Sequence, residues 1–242
     1  MEEFITGADV STLQQIEDFG GCFYEGDQKR DLLDILKENG FTHIRLKVWN
    51  NPGLPDSDPA GYNNKEHVLA MAKRIAQKGF KLLIDFHYSD FWTDPQKQAK
   101  PREWSGLSFD ALKEAVRAYT ADVLGALAAQ GTTPDMVQVG NEVTNGFLWD
   151  DGYLAGSEAT PEQWDRFSAL LTSGLQGVAD VDKGIKTMIH IDRGGDYKAS
   201  KIFFDNILTR GMSFDIIGQS FYCQWQGTLP ELAYNLNRLA LD

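Results

Sequence analysis

The chain has 242 residues, enough to bury a sizeable core, and its 42% hydrophobic and 24% charged content is ordinary for a globular domain. A net charge of −12, with 23 Lys and Arg scattered rather than clustered, argues against nucleic-acid or anionic-membrane partners and leaves a neutral polymer acceptable. No apolar run approaches the ~20 residues of a membrane span. Cys22 and Cys223, without a Cys-x-x-Cys, support neither a disulfide scaffold nor a thiolate zinc site.

In chain order, Met1-Glu-Glu-Phe-Ile shows no signal peptide and opens into a predicted strand over 4–10. A second strand is expected over 43–48, followed by a helix start at Asn63-Asn-Lys-Glu66. A third strand over 81–87 precedes a helix over 110–130, where Leu112, Ala115, Val116, Tyr119, Val123 and Leu127 form one apolar stripe. Strands over 136–140, 187–191 and 215–221 follow. Thr160-Pro-Glu-Gln163 and Thr228-Leu-Pro-Glu231 each combine a hydroxyl cap, an early proline and a reciprocal Gln or Glu. The last helix is expected to bury Leu232, Leu236 and Leu239. The irregular stretches 50–61 and 89–107 are long enough to suggest functional loops.

Strand and helix alternate about six times, which predicts a parallel sheet covered by helices. Gly7-Ala-Asp9-Val-Ser11 is not the Gly-rich turn of a doubly wound nucleotide-binding sheet. Polar and aromatic residues gather instead after many strands, as in an α/β (β/α)8 TIM barrel. A closed barrel needs eight units, so the expectation is a single domain over 1–242 that is C-terminally incomplete. Its open sheet edges would favour oligomers.

Val137-Gln-Val-Gly-Asn141-Glu142 ends a strand in a carboxylate preceded by an amide. At a barrel mouth such a Glu has a raised pKa and can protonate a glycosidic oxygen, while the Asn can donate to a sugar 2-hydroxyl. Alone, Asn-Glu is more simply a turn. Arg45, sharing strand parity with Lys47, reads equally as an inward carboxylate partner or an external ion pair. His87 and His190 both sit near strand ends. Trp49, Trp92, Trp104, Trp149, Tyr222 and Trp225 fall in loops where sugar faces could stack, whereas Trp164 reads as helix core. A metal-dependent barrel hydrolase or isomerase using Asp85, His87, Glu142, His190 and Asp192 ranks behind, for want of a His-x-His or HExxH pairing.

Together these segments resemble the endo-β-1,4-galactanases of glycoside hydrolase family 53. The likeness runs through Gly7-Ala-Asp9-Val-Ser11, Arg45-Leu-Lys-Val-Trp49-Asn-Asn-Pro52 and Asp85-Phe-His-Tyr-Ser-Asp-Phe-Trp92-Thr-Asp-Pro95. It continues in Val137-Gln-Val-Gly-Asn141-Glu142, His190-Ile-Asp192-Arg-Gly194, Ser220-Phe-Tyr222 and Trp225-x-Gly227. The resemblance implies a retaining, extracellular enzyme acting without a cofactor on β-1,4-galactan or arabinogalactan side chains of pectin. It casts Glu142 as acid/base and Asn141 as the 2-hydroxyl contact. Arg45, His87, His190 and Tyr222 would line the cleavage subsite, with Trp92 stacking on a more distant sugar. Asp9 and Trp225 fall in matching motifs as site residues. Cys223 stands where proline is usual, and Lys47 where arginine is. The family's nucleophile is a Glu ending a seventh strand, for which this sequence offers no counterpart. A galactan-binding partial barrel without hydrolytic activity is therefore the alternative.

Overall fold

The computed structural model describes residues 4–53 and 60–241. Six parallel strands run in chain order across one sheet: β1 (Gly7–Asp9), β2 (His43–Val48), β3 (Lys81–Phe86), β4 (Met136–Val139), β5 (Lys186–Ile191) and β6 (Ile216–Gln219). Each is followed by a covering helix: α1 (Leu32–Glu38), α2 (Lys65–Gln77), α3 (Phe109–Ala129), α4 (Pro161–Val181), α5 (Tyr197–Leu208) and α6 (Leu229–Leu239). The result is a partial (β/α)8 barrel.

The middle strands match their predicted bounds within a residue. The outer two are shorter, because each has a hydrogen-bonded neighbour on only one side among the described residues. Phe4 and Ile5, expected in β1, lie exposed ahead of it.

Register fixes which side chains share a face. Opposite Ile84 of β3 stand Leu46 of β2 and Val137 of β4, all sealed beneath helices. One residue along, Lys47, Asp85 and Gln138 line up on the other face, inside the barrel. That inner face is apolar at its lower end, where Leu83 pairs with Met136 and Met188 with Ile216, and charged toward the C-terminal strand ends.

Helix chemistry is largely local. Thr160 and Thr228 both close the reciprocal capping boxes expected of them. The α2 cap is Asn64, one residue later than the sequence pattern suggests, accepting from the His67 N–H. In α3 the predicted stripe faces the core, with Leu112, Val116, Val123 and Leu127 buried. Gly177 of α4 lets this pair close up: a β-carbon there would lie 2.6 Å from the Arg117 carbonyl oxygen and 2.7 Å from Thr120 Cβ. Phe167 of α4 is fully buried among Phe147, Trp164 and Phe203.

In α6, Leu232 and Leu239 are half-buried, but Leu236 is exposed and the buried residue is Asn235. Its amide donates to the carbonyls of Arg193 (2.9 Å) and Gly194 (2.8 Å), tying α6 to the loop after β5. A polar anchor, not a leucine stripe, sets this helix. Cys22 and Cys223 are both free thiols, and no described helix is long and apolar enough to cross a membrane.

Candidate active site

The site is built where β1 to β6 end. After β4 the chain turns at Gly140 (φ 84°), where a β-carbon would meet Val143 Cγ1 at 2.6 Å. Glu142 itself is left-handed, with φ 50° and ψ 50°. That conformation costs a β-carbon-bearing residue roughly 1–2 kcal/mol, a strain that native structures hold mainly at functional positions. The turn sends Asn141 into the barrel, where it is buried, and leaves Glu142 half-buried at the cleft.

Asp85, fully buried on β3, is the hub of the interior. Arg45 Nη2 donates to its Oδ2 (2.5 Å) and also to Asn141 Oδ1 (3.0 Å), while Arg45 Nη1 reaches Asp9 (3.2 Å). Arg45 thus points inward, settling the even choice the sequence left. Lys47 shares its face and lies 3.5 Å from Asp9. Gln138 Nε2 donates to Asp85 Oδ1 (2.6 Å). Burial alone would raise the Asp85 pKa, but Arg45 and His87 draw it down to about 2, so it is a fixed anion.

Both histidines are held at each ring nitrogen. The Thr93 N–H donates to His87 Nδ1 (2.9 Å), leaving the proton on Nε2, which donates to Asp85 (3.0 Å). His190 Nδ1 lies 3.2 Å from the Glu142 N–H and 3.1 Å from Asn141 Oδ1, and its Nε2 faces Ser220 Oγ at 3.0 Å. Burial and then Arg45 push the His190 pKa down to about 4, so it is neutral at pH 7.

For Glu142 the direction is upward. Burial is the main cause, reinforced by Asp192 and Asp94 and opposed by a Ser220 hydrogen bond and by Arg45. A carboxyl held partly protonated at a cleft can act as a proton donor.

The long loop after β3 is part of this machinery. The Thr93 carbonyl accepts from Asn141 Nδ2 (2.7 Å), leaving that amide a second N–H, and Gln98 Nε2 donates to the Asn141 carbonyl (2.8 Å). On the other side, Thr144 hydrogen-bonds Asp192, and Arg193 Nη1 pairs with the same carboxylate (2.6 Å). A cleft of about 550 Å³ opens beside Glu142, lined by Asp192, Arg193, Asp196, Tyr222, Trp225 and Gln226.

The structure therefore gathers Asp9, Arg45, His87, Asn141, Glu142 and His190 into one connected cluster and places Tyr222 and Trp225 on the adjoining cleft wall. Trp92, half-exposed, packs against His87 (5.5 Å between ring centroids) with Lys47 Nζ over its ring (4.8 Å). The aromatic set divides. Trp92, Tyr222 and Trp225 are exposed, whereas Trp49 and Trp104 are buried like the helical Trp164 and belong to the core. Asp85 and His87 turn toward each other and Arg45. Among the described residues no group of three His, Cys, Asp or Glu is arranged to hold a metal ion.

Sequence reasoning missed Gln138, Thr93, Gln98, Thr144 and Ser220. Gln138 carried a signal, as a polar residue in an otherwise apolar strand. Thr93 and Ser220 carried only their place in the family-like segments, and Gln98 and Thr144 carried none.

A strand-end Asn-Glu pair over a buried Arg-Asp-His network, in a parallel βα sheet with an aromatic-lined cleft, is an arrangement of barrel glycosidases. The sequence pattern of glycosyl hydrolase family 53 matches residues 5–241, and the chain belongs to that family. It is 48% identical over 241 residues to an uncharacterised protein of the bgaB 5′ region of Niallia circulans, covering 99% of this chain and 64% of that protein. An endo-beta-1,4-galactanase of Bacillus subtilis (strain 168) is 33% identical, over 99% of this chain and 54% of its own length. Among solved structures, the GH53 catalytic domain of Ignisphaera aggregans superposes with a TM-score of 0.86 at 41% identity, over 96% of this chain and 63% of that one. The chain thus spans about half to two thirds of the length of these relatives.

Proposed function

We propose that this chain forms the acid/base side of a retaining endo-β-1,4-galactanase, as one catalytic barrel domain acting on galactan or arabinogalactan side chains of pectin. The observation that carries the reading is the setting of Glu142, a half-buried carboxyl with its pKa raised by burial, facing an aromatic-lined cleft. Its backbone is held by His190 and its neighbour Asn141 by Arg45 and Thr93.

Glu142 would protonate the glycosidic oxygen as the bond breaks, then, as a carboxylate, take a proton from the water that completes hydrolysis. The free Asn141 N–H would meet the sugar 2-hydroxyl. Arg45, His87, His190 and Tyr222 would shape the cleavage subsite. Trp92 and Trp225 would stack on flanking sugars, with Asp9 holding Arg45 and Lys47 in place. Retention needs a second carboxylate about 5–5.5 Å from the first. Asp192 is already engaged by Thr144 and Arg193, so on this reading the second carboxylate would be another residue, a Glu ending a seventh strand. A substrate of this size is met outside the cell, where we place the protein.

Reducing-sugar release from β-1,4-galactan tests the reading. Glu142→Gln should lower any turnover by about 10²–10⁴-fold, because the amide cannot donate the proton; undiminished turnover would remove Glu142 from its role. The aromatic-lined cleft beside Glu142 also suits a second reading, galactan binding without cleavage. It predicts retention of the chain on galactan in affinity electrophoresis with no sugar released.

A further inference from the structure

Trp92 stands in the loop after β3, 40% exposed, and on the reading above it stacks on a sugar. A stacking ring binds more tightly when it is already held in its bound orientation, because ordering a mobile side chain costs affinity. The backbone is anchored next door, where the Thr93 N–H donates to His87 Nδ1 (2.9 Å). The indole itself lies against His87, with ring centroids 5.5 Å apart and planes inclined at 52°. Its second neighbour is the Lys47 ammonium, 4.8 Å from the ring centroid.

Lys47 is placed to keep that contact. It is only 7% exposed on the inner face of β2, and a cation–π contact is strongest where the cation is desolvated. Its backbone N–H donates to Ser11 Oγ (2.9 Å). Its Nζ lies 3.5 Å from Asp9 Oδ1, the oxygen that also accepts from the Ser11 hydroxyl (2.6 Å) and the Ser11 N–H (3.0 Å). One turn at the end of β1 therefore fixes both ends of the lysine. The Asp9 contact is longer than an ordinary charged hydrogen bond, and Arg45 Nη1 approaches the other Asp9 oxygen at 3.2 Å. The carboxylate thus sets where the ammonium sits without drawing it off the ring.

We propose that Lys47 is a positioning residue for Trp92: anchored by Asp9 and Ser11, its ammonium holds the indole against His87 and pre-orients it as a platform for a sugar ring. The consequence for affinity rests on Trp92 as a galactan contact, whereas the holding of the ring reads out without sugar.

Two measurements test it. In protein labelled with nitrogen-15 tryptophan, the Trp92 indole signal is identified by its loss in Trp92→Ala. Its heteronuclear NOE should be that of a rigid ring in the parent and in Lys47→Arg, whose guanidinium also stacks on aromatic faces, and should fall in Lys47→Met. In affinity electrophoresis on β-1,4-galactan, Lys47→Met should bind about fivefold more weakly and Lys47→Arg should stay near the parent. Lys47→Met/Trp92→Ala should bind like Trp92→Ala alone, because residues that act through one contact are not additive. An unchanged indole signal in Lys47→Met, or fully additive losses in the double variant, would overturn the proposal. If the parent binds no galactan, or Trp92→Ala binds as the parent does, the sugar contact is lost from the reading, and the indole signal alone decides whether Lys47 holds the ring. Should Lys47→Met not fold, Lys47→Gln carries both measurements, since it can still donate to Asp9 but brings no cation to the indole.

Discussion

The two faces of the same strands solve opposite problems. On β2, Ile44, Leu46 and Val48 face outward and are sealed under helices, where any side chain of similar volume and apolarity serves. One position along, Arg45 and Lys47 face inward among Asp9, Asp85 and Gln138, where each group needs a particular partner. Burying an apolar side chain is rewarded by area, whereas burying a charge is tolerated only when it is paired and hydrogen-bonded. The outer face therefore supplies stability, and the inner face spends some of it on a rigid polar arrangement.

The comparison can be broken from either side. The largest effect is expected at Phe167→Ala, which leaves a cavity in the outer aromatic cluster and should cost about 3–5 kcal/mol in urea unfolding. Chemical-shift changes should be small at Glu142. On the inner face, Arg45→Met should cost about 3 kcal/mol, because fully buried Asp85 loses its cation. Much of that loss should return in Arg45→Met/Asp85→Asn. If the double variant is no better than the single, the charge argument for the inner face is wrong.

A pH series sharpens the same contrast. The folded-state pKa of His190 is depressed from 6.5 to about 4, so between those values the unfolded chain binds a proton that the folded chain refuses. Stability should therefore fall as pH drops from about 6.5 to 4. Asp85, depressed from 3.8 to about 2, contributes stability above pH 3.8 that is lost as pH falls toward 2. His190→Gln should flatten the upper window of an unfolding-versus-pH curve and leave the lower one. The smallest effect belongs to a purely local feature: Thr160→Ala, opening the α4 capping box, should cost about 1 kcal/mol at any pH from 5 to 8.

How much was legible in the sequence follows the same division. The alternation of strand and helix, the α3 stripe, both threonine capping boxes and the Asn141-Glu142 strand end depend on neighbours within a few residues, and all were readable. Strand ends at β1 and β6 were overextended, because pairing depends on partners in space. The α6 stripe failed for a related reason, since Asn235 finds its acceptors 41 and 42 residues away in the chain.

By itself the sequence determined the βα order, the caps and the residue types that could do acid/base chemistry, because periodicity and capping act over one or two helical turns. Only the tertiary structure decided that Arg45 points inward, that Asp85 is the hub, that Trp49 and Trp104 are core while Trp92 and Trp225 are exposed, and that His190 sits between the Glu142 peptide and Ser220. Those contacts cross tens of positions and depend on the register of one strand against the next, where a single-residue slip would exchange the two faces.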